Sequence, residues 1–208
     1  MYNQTEKNGK SQQSGNGENM FTDDLSLRGE IKVQVFDKHG VLVSEFEDKN
    51  FIVDKGHEIA NNLLNGTFNG LVGRMGIGDQ GTLSGQPYVP KTADATWPAR
   101  TALFHDVIRK DLDSATPGLS LKNTRYLCSF TSASIAPASF TSSPYLINEA
   151  SLWLIPRVAG IPAVYGVEQA STGFNANQYM FSMRTFKSQP FDPADTLTLT
   201  IAWTIYVQ

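Results

Sequence analysis

From Leu197 to Val207 apolar and other side chains alternate without a break: Leu197, Leu199, Ile201, Trp203, Ile205 and Val207 against Thr198, Thr200, Ala202, Thr204 and Tyr206. Successive side chains of an extended chain point to opposite faces, so the pattern lines one face of a strand with apolar groups. A helix would scatter the same residues around its circumference. The segment therefore requires a sheet with one face on a core, and the rest of the chain must supply that sheet and the layer opposite it.

Glu30 to Phe36 alternates in the same way, Asp37-Lys38-His39-Gly40 is a turn cluster, and Val41 to Phe46 resumes the extended pattern, which predicts a β-hairpin. Asn50 to Val53 is a short strand. Asp54 is the predicted N-cap of one helix with Ile59, Ala60, Leu63 and Leu64 on a face and Gly66 at its end. Further strands are expected at Leu71–Ile77, within Arg100–Asp111, and at Thr124–Ser132, Tyr145–Ile155 and Gln178–Phe186. Between them, Gly78–Pro98 and Pro156–Asn177 are long predicted loops and candidate contact surfaces. One helix, several short strands and no βαβ rhythm give the expected fold class: mainly β, an antiparallel, jelly-roll-like β-sandwich.

Of the 208 residues, Met1 to Asp24 are polar and rich in Asn, Gln, Gly, Ser and Lys. Such a segment cannot offset its own ordering entropy, so residues 1–24 are an expected disordered tail, either an inert leader or an assembly arm, ahead of a domain over 25–208. It holds no apolar run of the secretory type, and no stretch of the chain approaches the length of a bilayer span, so no membrane partner is expected. The sequons at Asn3 and Asn65 are read as chance. A net charge of −3 with interleaved signs provides no basic face for nucleic acid. The lone Cys128 is expected to be a small buried residue in a chain made in a reducing compartment.

No catalytic, cofactor-binding or metal site is predicted. Gly76-Ile77-Gly78-Asp79-Gln80-Gly81 has the letters of a dinucleotide fingerprint, but Thr82-Leu83-Ser84-Gly85-Gln86-Pro87 follows where a helix N-terminus is needed. Its glycines are expected to serve positive φ and close backbone approach. His39, His57 and His105 lack the spacing of a helical metal pair, and no G-x-S-x-G elbow is present. Asp23 and Asp24 belong to the tail, while Asp192 and Asp195 belong to a turn before the last strand. Glu149, amid apolar alternation, needs either solvent or a donor; it is expected on the solvated outer face. Trp97, Trp153 and Trp203 are expected in core or interface roles rather than as a sugar platform.

Five stretches, in chain order, resemble a family of tailed-bacteriophage virion structural proteins. Asn50 to Gly56 followed by Ile59-Ala60-Asn61-Asn62-Leu63-Leu64 is similar to the family's strand and helix. Met75-Gly76-Ile77-Gly78-Asp79 is similar to its M-x-I-G-x-G strand end, with Asp79 and Gln80 where small residues or glycine are more usual. Ile147-Asn148-Glu149-Ala150-Ser151-Leu152 resembles its I-N-E-A-G-L-F strand, Met180 to Phe186 its L-F-A-R-x-x-F strand, and Asp195 to Ile205 its closing strand. The resemblance implies a non-enzymatic β-sandwich that assembles in several copies in the tail, neck or fibre-attachment region of a virion. Its partners would be further copies and other virion proteins, tail, neck, portal or fibre, in a particle built in the bacterial cytoplasm. The competing roles are a capsid decoration protein and a receptor- or carbohydrate-binding module of a tail fibre.

Overall fold

The computed structural model describes residues 27–67, 70–119, 122–141, 144–156, 168–170 and 178–207. The predicted tail, Asp23, Asp24, the first sequon and most of the predicted loop 156–177 lie outside these residues.

Two antiparallel sheets face each other. Strand β1 (Leu27–Phe36) pairs with the closing strand β13 (Thr198–Val207) in an unbroken register from Leu27↔Val207 to Phe36↔Thr198. On β13 the expected alternation holds at the centre: Leu199, Ile201, Trp203 and Ile205 are buried, and their neighbours are half-exposed. Strands β2 (Leu42–Lys49), β8 (Ser114–Pro117) and β9 (Asn123–Thr131) complete this first sheet in the order β2-β1-β13-β9-β8. The second sheet has the order β11-β7-β4-β10-β12-β3. It is built from β3 (Phe51–Ile52), β4 (Gly70–Gly78), β7 (Asp106–Asp111), β10 (Leu146–Pro156), β11 (Glu168–Ala170) and β12 (Tyr179–Pro190). Ile31, Val33, Phe130, Ile201 and Trp203 from the first sheet and Met75, Ile77, Leu152, Leu154 and Phe186 from the second form one buried cluster, so the fold is a β-sandwich with the core between its layers.

The hairpin turn is built as its residues require. Asp37 Oδ1 accepts the backbone N–H groups of His39 and Val41 at 2.8 and 2.9 Å, and Gly40 takes φ +77°. Helix α1 (Asp54–Leu64) starts one residue earlier than expected: Val53 is the N-cap, and the Asp54 N–H, instead of being capped by a side chain, donates to Pro98 O at 2.8 Å. Its end is a Schellman turn. Gly66 at φ +75° donates to Leu63 O, and Thr67 donates to Asn62 O. Of the predicted apolar face, Ile59 is buried, whereas Leu63 and Leu64 are 40 % and 72 % exposed and, with Ala60, line an open apolar cavity shared with Leu27, Val72 and Val207.

The stretch 78–98 is more than a loop. It carries a small hairpin, β5 (Thr82–Leu83) and β6 (Gln86–Pro90), turning at Gly85 with φ +72°. Within Arg100–Asp111 only β7 is a strand, since residues 91–105 run irregularly across the second sheet's outer face. There Trp97 and Leu103 bury themselves with Val53, Trp153, Met180 and Met183 in a second apolar cluster. The second sheet is thus covered on both faces around β10 and β12, which explains why those strands carry apolar residues at successive positions.

Candidate functional site

The strongest concentration of buried polar chemistry lies where β4 ends against β10. Glu149 is fully buried, which overturns its expected place on a solvated face. It has donors instead of water. Its Oε1 accepts the backbone N–H of His105 at 2.8 Å and of Gln80 at 3.2 Å, and its Oε2 that of Phe104 at 2.8 Å. Burial pushes the carboxyl up to about 7, against these three N–H donors, which favour the ionised form. The neighbouring Asn148 bridges the same turn. Its Oδ1 accepts from Gly81 N at 2.6 Å, and its amide donates to Asp79 O and Ser188 Oγ, both at 3.1 Å.

Asp79 extends this network across the sandwich's end. One carboxylate oxygen faces His105 Nδ1 at 2.7 Å; the other accepts from Thr141 N and Oγ1 at 2.6 and 2.8 Å. The covering segment is braced by its own cations as well. Lys91 Nζ and the Arg100 guanidinium each lie 3.7 Å from the Phe104 ring centroid, and Lys91 also donates to Gln80 O at 2.6 Å. Desolvation lowers the Lys91 pKa, opposed by the charge of Glu149.

The glycine-rich motif now has a physical reading. Of its two expected roles, close approach holds and positive φ does not, because none of its glycines is among those with φ in the left-handed region. A Cβ on Gly76 would meet Ser151 Oγ at 2.8 Å and Trp153 Nε1 at 3.0 Å; one on Gly78 would meet Glu149 Oε1 at 2.6 Å; one on Gly81 would meet Glu149 Cβ at 2.8 Å. The motif therefore makes room for β10. The two stretches Met75–Asp79 and Ile147–Leu152, far apart in sequence, meet here as one clamp that holds residues 80–81 and 104–105. Both Glu149 oxygens are engaged and shut from solvent, so the group positions backbone rather than facing a substrate.

The remaining singled-out residues are dispersed. His39 and His57 are exposed, on the hairpin turn and on α1. Among the described residues no group of three or more His, Cys, Asp or Glu is placed to hold a metal ion. Asp192 shapes the expected turn: its Oδ1 accepts from Ala194 N at 2.9 Å and its carbonyl from Asp195 N at 2.9 Å. Cys128 is buried in the main core. Trp97 packs edge-on against Phe51, Trp153 donates to Ser151 Oγ at 2.7 Å beneath the Arg109 guanidinium, and Trp203 is at the centre of the main core. Sequence reasoning missed Asp79, Asn148 and His105 as one network; the available signal was Asp79 itself, a charged residue where the resembled family has small ones.

On the surface, the hairpin gives the clearest contact candidate. Val41, just before β2, and Leu42 and Val43 at its start are 59 %, 46 % and 54 % exposed; β2 is an edge strand paired with β1, with a bulge at Val43. Phe46 turns inward onto Phe186, with ring centroids 5.5 Å apart, and Ser44 donates inward to Gln189. Glu45 and Glu47 turn outward and both face Lys32, at 3.1 and 3.5 Å. No family model matches this chain, and neither does any curated protein or solved structure.

Proposed function

We propose that this chain is a non-enzymatic structural component of a tailed-phage virion, assembled in several copies in the tail, neck or fibre-attachment region. The reading starts from the ordered resemblance of five stretches. The observation that supports it best is that two of those stretches, Met75–Asp79 and Ile147–Leu152, come together as a structural clamp whose side chains hold backbone. Residues that build a scaffold are what a structural family has in common. The exposed apolar opening of β2 supplies a surface for neighbours, because a soluble chain rarely leaves such an edge uncovered. The contacts proposed for assembly are the hairpin Glu30–Phe46, the two long connecting segments and the N-terminal arm. A sugar-binding platform of tryptophans is disfavoured, since Trp97, Trp153 and Trp203 are all buried.

The test is electron microscopy of particles carrying a labelled copy of the chain. A ring or tuft of label at one vertex is the expected result. Label on every capsid facet would replace this reading with the decoration role, and purified particles without the protein would overturn it.

A further inference from the structure

We infer that the apolar groove beside the last turns of α1 is the seat of this chain's own residues 20–25, with Phe21 and Leu25 as the side chains that enter it. The groove is an open cavity of ≈250 Å³, lined by Leu63 and Leu64 of α1, Val72 of β4, and Leu27 and Val207 where β1 and β13 pair. An apolar cavity of about 150 Å³ takes one benzene ring. This one therefore has room for a phenylalanine ring with a branched side chain beside it, and it falls short of the roughly 300–1,000 Å³ of a small-molecule site.

Position, spacing and charge choose the occupant. Leu27 is both a lining residue and the first described residue of β1, so the chain ahead of it departs from the groove itself. Among residues 1–26 the apolar side chains are Met1, Tyr2, Met20, Phe21 and Leu25. Leu25 shares the inward parity of Leu27, Ile31 and Val33, and Phe21 stands four positions before it, a spacing that keeps both on one face in extended and helical chain alike. Asp23 and Asp24 fall between these two anchors. Lys122 also lines the groove, fixed beside the end of β13 by the bond from Val207 N to Lys122 O at 2.8 Å, and no acid pairs with it among the described residues. So short a tether holds the segment at an effective concentration on the order of millimolar, which no separate copy matches in dilute solution. This seating belongs to the lone chain, and it confines the arm proposed for assembly to the residues before Met20.

Chymotryptic cleavage of the full chain tests this with an internal control, because Tyr2 lies outside the segment and Phe21 within it. Cleavage after Phe21 should be slower than after Tyr2, by a ratio that dilution does not change. Leu64→Gln, at a largely exposed position of α1, should speed cleavage after Phe21 by about tenfold and leave Tyr2 as before. Lys122→Glu should speed it by about threefold, and adding Asp23→Lys and Asp24→Lys should restore the protection, a rescue that a folding defect would not give. From the other side, Phe21→Ser, which leaves the sandwich's own residues intact, should hasten amide exchange in the last turn of α1. Equal cleavage at the two sites, or exchange in α1 that Phe21→Ser does not alter, would overturn the seating. Protection that fades on dilution would give the groove to the segment of a second copy, and protection present only in particles would give it to a neighbouring protein; either result overturns it while leaving the proposed function standing.

Discussion

Glu149 stands directly across from Gly78 in the β10–β4 register, its Oε1 2.6 Å from where a Cβ on that glycine would lie. The carboxyl fills the space that the missing side chain leaves, and the His105 carbonyl closes the other side.

Gly78→Ala should therefore cost about 3 kcal/mol, because neither backbone nor a hydrogen-bonded carboxyl can give way. Gly40→Ala is the comparison: nothing lies within 4 Å of its Cβ, and only the φ of +77° opposes it, at about 1 kcal/mol. Urea midpoints at constant m-value would check the ranking.

The pH dependence follows from the same carboxyl. Its folded pKa of about 7 stands above the ordinary value of 4.5, so between these values the folded chain binds a proton that the unfolded chain has released. The contribution is complete below about pH 4.5 and is lost as pH rises through 7, a change of about 3 kcal/mol. Glu149→Gln should flatten this slope while costing about 1–2 kcal/mol at pH 5, since its amide cannot accept from Phe104 N. Stability measured against pH for both chains reads the difference directly.

Asp79→Ala removes the acceptor for His105 Nδ1 and for two donors of Thr141. The expected cost is about 2 kcal/mol, with the covering segment loosened more than the sheets. Faster amide exchange at Phe104 and His105, and greater quenching of Trp97, would register it.

Trp203→Ala should cost about 3–5 kcal/mol and unfold the chain, as Trp203 is fully buried between the sheets. Trp203→Phe should be far milder: among the described residues Trp203 Nε1 has no hydrogen-bond partner, so the indole N–H brings no bond to lose. Normal folding of the alanine variant, by circular dichroism, would move Trp203 from core to interface.

Period-two alternation made β1, β2, β9 and β13 legible, because each has one face on the core and one toward solvent. It failed for Glu149, whose surroundings come from elsewhere: Gln80 lies on one distant segment and Phe104 and His105 on another. No local pattern announces that residues 91–105 will fold back over an outer face. Asp54 was misjudged as the cap for a related reason, since Pro98, distant in sequence, takes the helix's first N–H and Val53 is the N-cap. The glycine motif was readable as chemistry of space, but its occupant was not.

The ladder joining Leu27 to Val207 and Phe36 to Thr198 also has a consequence in time. On the ribosome β1 emerges before every other described strand and its central neighbour β13 after them all. Until then the inward face of Ile31, Val33 and Val35 has no lasting cover from its own sheet, and β9 waits beside the same gap. Folding of this layer is thus withheld until β13 has been made, a slow, long-range closure. A chain interrupted before Thr198 lacks the strand that joins β1 to β9, so the fold itself discriminates copies that carry β13 from those cut short of it.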